Sequence, residues 1–122
     1  MKKILIIEDD RFVQAMLRQT VEKAGYHVET ADNGSIGLDL FGSQAFDAVI
    51  TDLIMPETEG IETICRMKKI DAGVKVIAIS GGGRNRPENY LFMAEKLGAR
   101  YTFSKPVDRE KLLAALRDLV GD

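Results

Sequence analysis

The feature that most constrains the fold is a regular alternation of short, β-branched apolar runs with longer segments whose apolar residues recur every three or four positions. Apolar runs of this length are typical of strands buried on both faces of a sheet. Five such strand–helix units favour one α/β domain, a three-layer (βα)5 sandwich with a parallel sheet and right-handed crossovers. The predicted strands are 4–7, 27–31, 48–51, 74–80 and 101–104, and the predicted helices are 12–21, 35–41, 58–70, 88–97 and one that begins after residue 108.

Composition excludes several classes of function. The 122 residues predict a single domain, 1–122, and 17 basic against 19 acidic residues give a net charge of −2, which argues against direct nucleic-acid binding. One cysteine, Cys65, and one histidine, His27, leave no internal disulfide, zinc cluster or histidine-based catalytic pair. No apolar run approaches the roughly 20 residues of a membrane span. We therefore expect a reduced, cytoplasmic protein without a membrane segment.

Polar residues follow four of the predicted strands. Glu8 and Asp9 follow the first strand, Asp52 the third, Ser80 the fourth and Lys105 the fifth. Ligands of open parallel sheets bind at the carboxyl ends of the strands, where the strand order reverses. In a 2-1-3-4-5 sheet the first and third strands flank that point, so these five side chains are predicted to meet there.

The residue types at this edge suggest phosphoryl chemistry. Three crowded carboxylates repel one another and need a counter-charge, and Mg²⁺ prefers carboxylate, water and phosphate oxygens. A carboxylate can attack phosphorus as a nucleophile, while a cation and a lysine neutralise the transferring group. Singly, each residue also has a structural explanation, as a helix cap, a turn residue or a solvated lysine; Asp10 is expected to be such a cap.

Four motifs resemble the receiver domain of two-component response regulators, over essentially the whole chain. They are Glu8-Asp9-Asp10 after the first strand, Thr51–Pro56 with Gly60, Ala78–Gly81, and Lys105-Pro106. The resemblance implies a flavodoxin-like fold of the chemotaxis-regulator type.

It also implies the role of each site residue. Asp52 would accept a phosphoryl group from a histidine kinase or phosphotransfer protein and would then switch binding to a downstream protein. Glu8, Asp9, Asp52 and the backbone carbonyl of Ile54 would hold Mg²⁺. Ser80 and Lys105 would bind the phosphoryl group, and the bond before Pro106 would be cis.

Three positions depart from the family pattern. Glu59 replaces the usual aspartate before Gly60, and the apolar Ile54 lies two residues after the acceptor. Thr102 stands where many members carry an aromatic switch residue, and the neighbouring Tyr101 should face the opposite side of the strand. Coupling is therefore expected to run through Ser80 and the loop that follows it.

The fourth helix is predicted to contribute a partner surface. Five apolar residues in succession, 90–94, surround the helix axis, so some must face outwards. Tyr90 and Met93 are the predicted exposed pair, and Thr102 and Tyr101 are further candidates for the coupling or partner face. The protein would then act as a monomer or a phosphorylation-dependent dimer.

Two alternatives stay open at this point. A haloacid-dehalogenase-like phosphohydrolase uses similar residue types, but it needs a second aspartate where Ile54 stands. A receiver domain cut from a longer regulator would have the same sequence as a stand-alone one, which is favoured because no output segment follows the last helix. The expected activity is self-catalysed phosphoryl acceptance and autodephosphorylation, without turnover of another substrate.

Overall fold

The computed structural model describes residues 1–53, 60–81 and 87–121, without the side chains of 87–91. Its elements alternate as β1 (Lys3–Ile7), α1 (Arg11–Lys23), β2 (His27–Ala31), α2 (Gly34–Ser43), β3 (Ala48–Asp52), α3 (Gly60–Ile70), β4 (Val76–Ser80), α4 (Pro87–Lys96), β5 (Tyr101–Ser104) and α5 (Arg109–Val120). The strands pair in parallel in the order β2-β1-β3-β4-β5. This is the predicted fold and strand order.

Both faces of the sheet are covered, and β1 shows why. Successive strand residues point to opposite faces. Ile4 and Ile6 belong to a core shared with α1 and α5, while Leu5 and Ile7 belong to one shared with α2, α3 and α4. All four side chains are fully buried. The two helical layers therefore require an apolar residue at each of the four positions 4–7 of β1.

Local polar groups set the helix boundaries near the carboxyl edge of the sheet. The Asp10 carboxylate accepts hydrogen bonds from the backbone N–H groups of Phe12 and Val13, at 2.9 and 3.2 Å, and so caps α1 as predicted. Asp108 caps α5 through the N–H of Lys111. Gly25, with a φ of +99°, follows the end of α1 in the left-handed conformation that glycine adopts readily.

The end of α5 is held at the opposite edge of the sheet. The hydroxyl of Tyr26, just before β2, donates to the carbonyl of Gly121 at 3.0 Å. The ammonium of Lys75, just before β4, donates to the carbonyl of Leu119 at 2.7 Å. Two strand starts thus anchor the last helical turn.

Several element boundaries and the position of one side chain differ from the sequence-based expectations. The fourth strand begins at Val76 because the N–H of Val74 closes a turn onto the carbonyl of Asp71. Helix α2 is longer than predicted at both ends. Phe12, assigned by its spacing to the apolar stripe of α1, is 86% exposed and lies outside the core.

No helix in the described ranges has the length and apolarity needed to cross a membrane.

Candidate functional site

Four strand ends bring the predicted polar residues to one edge of the sheet. Glu8 directly follows β1, and its N–H bonds to the carbonyl of Ala31 at the end of β2. Asp52 and Ser80 are the last residues of β3 and β4. Lys105 follows β5, and its N–H bonds to the Ser80 carbonyl at 3.0 Å. These side chains are therefore fixed by the sheet.

Three carboxylates form a cluster at this edge. One oxygen each from Glu8, Asp9 and Asp52 lies within 4.8 Å of the others. Glu8 and Asp52 are only 1% and 4% exposed, whereas Asp9 faces solvent. Oxygen donors at this spacing, open to solvent on one side, are chemically suited to a hard divalent cation that keeps some of its water.

Lys105 is the cation of the cluster. Its Nζ lies 2.8 Å from Glu8 Oε1 and 3.4 Å from Asp52 Oδ2. The shorter contact is an ion pair with a carboxylate that is almost fully buried. Burial by itself would lower the pKa of Lys105, but the two carboxylates outweigh burial and raise it. Lys105 therefore lies closer to Glu8 than to Asp52.

The surroundings of Glu8 disfavour the ionised form of its carboxyl group. Burial raises its pKa from 4.5 to about 7, and the neighbouring charge of Asp52 acts in the same direction. Lys105 and the N–H of Asp10, which donates to Glu8 Oε2 at 3.1 Å, oppose this shift only in part. One lysine does not balance the buried negative charge, so the site favours a further cation.

The hydroxyl of Ser80 is, among the described residues, an unpaired polar group at the same edge of the sheet. It is fully buried, and within the described ranges its Oγ has no hydrogen-bond partner. A buried hydroxyl normally has a partner, because an unpaired one costs about 1–3 kcal/mol. This oxygen is therefore available to a polar group that enters the edge of the sheet.

Two glycines allow the backbones around the site to approach closely, a role that sequence reasoning missed. A Cβ on Gly60 would lie 2.3 Å from the carbonyl oxygen of Asp52 and 2.4 Å from the Cα of Leu53. A Cβ on Gly81 would lie 2.5–2.9 Å from the backbone N, Cα and Cβ of Lys105. Both glycines belong to the motifs that resemble the receiver family, which is the sign of this role that the sequence offers. The close approach of the backbones is visible only in the structure.

The remaining predicted residues lie apart from the cluster. Tyr101 packs on the α1 and α5 side of the sheet, where its hydroxyl donates to the carboxylate of Asp118, so it faces away from Thr102 as predicted. This hydrogen bond, burial and the charge of Asp118 raise the pKa of Tyr101. Met93 is 49% exposed on α4. Ile54 and the side chain of Tyr90 lie outside the described residues. The Lys105–Pro106 bond is cis, as the resemblance implies.

Comparison with known sequences decides the family. Residues 4–117 match the family model of the response regulator receiver domain. The chain belongs to this family. As a receiver domain it is a signalling protein, a phosphorylation-dependent response regulator of the class that interacts with histidine kinases or phosphotransfer proteins and with downstream targets. The phosphohydrolase alternative is not favoured.

Individual relatives support this assignment. The receiver domain is 34% identical over 116 residues to the chemotaxis protein CheY of Thermotoga maritima, covering 94% of each chain. It superposes on a receiver domain protein from Clostridium thermocellum with a TM-score of 0.91, at 30% identity and covering 98% and 94% of the two chains. It also superposes on the response regulator TrrA of Thermotoga maritima, solved in complex with Mg(2+)-BeF, with a TM-score of 0.83, 26% identity and coverage of 98% and 99%. These structures confirm the flavodoxin-like fold.

Proposed function

We propose that Asp52 is the residue that accepts the phosphoryl group. The observation that carries this proposal is the position of a buried carboxylate at the end of the central strand β3, 3.4 Å from the Lys105 ammonium and beside two further acids. In the transfer, an Asp52 carboxylate oxygen would attack phosphorus, forming a P–O bond. The P–N bond of a phosphohistidine on the donor protein would break, and the released imidazole nitrogen would take up a proton.

The metal in this proposal is Mg²⁺, held by Glu8, Asp9 and Asp52. The backbone carbonyl of Ile54, outside the described residues, is the further ligand that the resemblance implies. When bound, Mg²⁺ would neutralise negative charge on the carboxylates and on the transferring phosphoryl group. The fit rests on the three clustered oxygen donors and on the uncompensated charge around Glu8. The complex of TrrA with Mg(2+)-BeF supports the choice of ion.

Lys105 and Ser80 would bind the phosphoryl group on Asp52. The lysine already contacts both buried carboxylates, so it can move towards a more negative group without leaving the cluster. The Ser80 hydroxyl would gain its missing hydrogen bond from a phosphoryl oxygen. Because Ser80 ends β4 and precedes the loop to α4, its movement would couple phosphorylation to that helix.

The output surface is proposed to include the exposed face of α4 and the neighbouring strand. Met93 is half-exposed. The other predicted residues are Tyr90 on α4 and, on opposite sides of the edge strand β5, Thr102 and Tyr101. A downstream protein, or a second copy of the chain after phosphorylation, would bind there. A cytoplasmic location, no direct contact with nucleic acid and no turnover of an external substrate remain predictions from the composition and the site.

Phosphorylation with a small phosphodonor, such as an acyl phosphate, tests the assignment. Intact-mass spectrometry should detect one phosphoryl group in the presence of Mg²⁺ and none after Asp52→Asn. Asp39→Asn is the matched control, since Asp39 is an exposed acid on α2 away from the cluster. Equal labelling of the Asp52 variant, or labelling unaffected by a chelator, would overturn the proposal.

A further inference from the structure

An apolar groove lies between α3 and α4, and no other part of the described chain covers it. Its volume is about 290 Å³. Phe92 and Met93 on its α4 side are 61% and 49% exposed, although the next residue, Ala94, is fully buried against the sheet. The lining side chains are Ile61, Cys65, Phe92, Met93, Lys96 and Leu97.

The shape of the groove follows from the side chains of its two walls. The α3 wall carries the short side chain of Cys65, and the α4 wall carries the long side chains of Phe92 and Met93. Ala94 is small enough to seat α4 closely on the sheet, but it leaves the two neighbouring large residues outside the core. Adjacent exposed apolar side chains of this size mark binding surfaces more often than isolated ones do.

Two lysines lie at one end of the groove. Lys96 lines it, and its Nζ lies 5.1 Å from the centre of the Phe92 ring, a cation–π contact. Lys68, three residues after Cys65 on α3, reaches the end of α4, where a Cβ on Gly98 would lie 3.0 Å from its Nζ. Within the described ranges, neither ammonium has a carboxylate within 4 Å.

The helix dipoles compensate these charges only in part. Both lysines lie near helix C-termini, which carry about half a negative charge each. Two full positive charges therefore exceed the negative charge of the two helix ends. Among the described residues, the lining contains no acidic side chain. The groove thus combines an apolar floor with a positively charged end.

We propose that this groove binds an amphipathic helix of a partner protein, with large apolar anchors flanked by acidic residues. A helix in a groove places anchors three or four residues apart, and the available volume suits one or two such side chains. Glutamate or aspartate beside the anchors would pair with Lys96 and Lys68 and fix the direction of the helix. The groove shares Met93 with the proposed output surface, so the inference deepens that part of the proposed function by naming the chemistry of the partner. It does not depend on which residue is phosphorylated.

The same features argue against the two other occupants. Small-molecule sites usually contain several polar groups that orient the ligand, whereas the described lining of this groove is apolar apart from Lys96. An anionic membrane would also meet lysines and apolar side chains, but it needs a protruding surface rather than a groove. The net charge of −2 further disfavours such a membrane. A partner helix fits both the shape and the charge.

The test uses the unphosphorylated full chain and a pair of synthetic peptides. The probe is a helix-forming peptide of about four turns, with leucine and phenylalanine anchors and flanking glutamates. Its counterpart has glutamine at every glutamate. Nitrogen-15 chemical-shift titration gives the affinity, and Cys65, as the one cysteine, reports occupancy through slower reaction with a thiol reagent. The glutamate peptide should bind about tenfold more tightly than its counterpart and shift residues of α3 and α4.

Two matched pairs of variants locate the binding. Phe92→Ser should abolish binding, while Phe12→Ser, which alters the exposed phenylalanine of α1, should not. Lys96→Glu should weaken it about tenfold or more, while Lys23→Glu makes the same charge change on α1 without effect. Equal affinity for both peptides, or equal losses within either pair, would overturn the proposal. So would a protein that ignores the peptides and binds phosphatidylserine vesicles through Phe92 and Lys96.

Discussion

Replacing Gly60 with alanine should destabilise the protein, because the added Cβ would clash with the backbone at the end of β3. The new Cβ would lie 2.3 Å from the carbonyl oxygen of Asp52, about 1.1 Å short of the 3.4 Å at which ordinary contacts begin. Asp52 cannot retreat, because β3 is hydrogen-bonded between β1 and β4. The start of α3 must therefore move, which breaks the 3.0 Å bond from the Gly60 N–H to the Leu53 carbonyl.

The expected loss of unfolding free energy is about 2–4 kcal/mol, from overpacking and one lost hydrogen bond. Urea denaturation followed by circular dichroism measures it. Gly42→Ala is the matched control, because Gly42 is also helical and a Cβ there meets nothing within 4 Å. That variant should be neutral or up to about 1 kcal/mol more stable. A Gly60→Ala protein within about 0.5 kcal/mol of the wild type would refute the reasoning.

Three further predictions concern the acidic edge. Asp9→Asn should weaken Mg²⁺ binding more than Asp10→Asn, since Asp10 caps α1, and a metal titration that ranks them the other way would contradict the ligand set. Because the pKa of Glu8 is raised to about 7, the metal-free folded state holds this proton more tightly than the unfolded state. This contribution to the free energy of unfolding should be fully present below about pH 4.5 and should be lost as the pH rises through 7. Urea denaturation at several pH values should find no such loss in the Glu8→Gln variant. Ser80→Ala should accept the phosphoryl group yet gain little target affinity, and target binding as tight as that of the phosphorylated wild type would remove Ser80 from the coupling.

Sequence reasoning succeeded where a residue's role follows from its place along a strand. β-Branched runs buried on both faces identified β1 and β3, and the parallel order then brought Glu8, Asp52 and Ser80 to one edge. The cap at Asp10 was readable for the same reason, since capping is local. The fold and the set of site residues could therefore be predicted, because both follow from patterns among residues that are close in the sequence.

The rest depends on distances between elements that are far apart in sequence. The spacing of the motifs along the sequence does not indicate that Lys105 lies closer to Glu8 than to Asp52. The exposure of Phe12 and Phe92 was equally hidden, because an apolar residue on a helix gives no sign of whether a neighbouring layer reaches it. Burial of such residues is set by helix packing, which periodicity describes only on average.

The anchoring of the last turn of α5 determines where a fluorescent reporter can be attached to the protein. The bonds from Tyr26 and Lys75 hold the end of α5 at the edge of the sheet where β2 and β4 begin. Helix α5 is 12 residues long, so its far end lies about 18 Å along the helix axis from its start beside the acidic edge. A fluorescent protein joined there would leave the approach of a phosphodonor open, whereas a label on Phe12 or Asp9 would obstruct it.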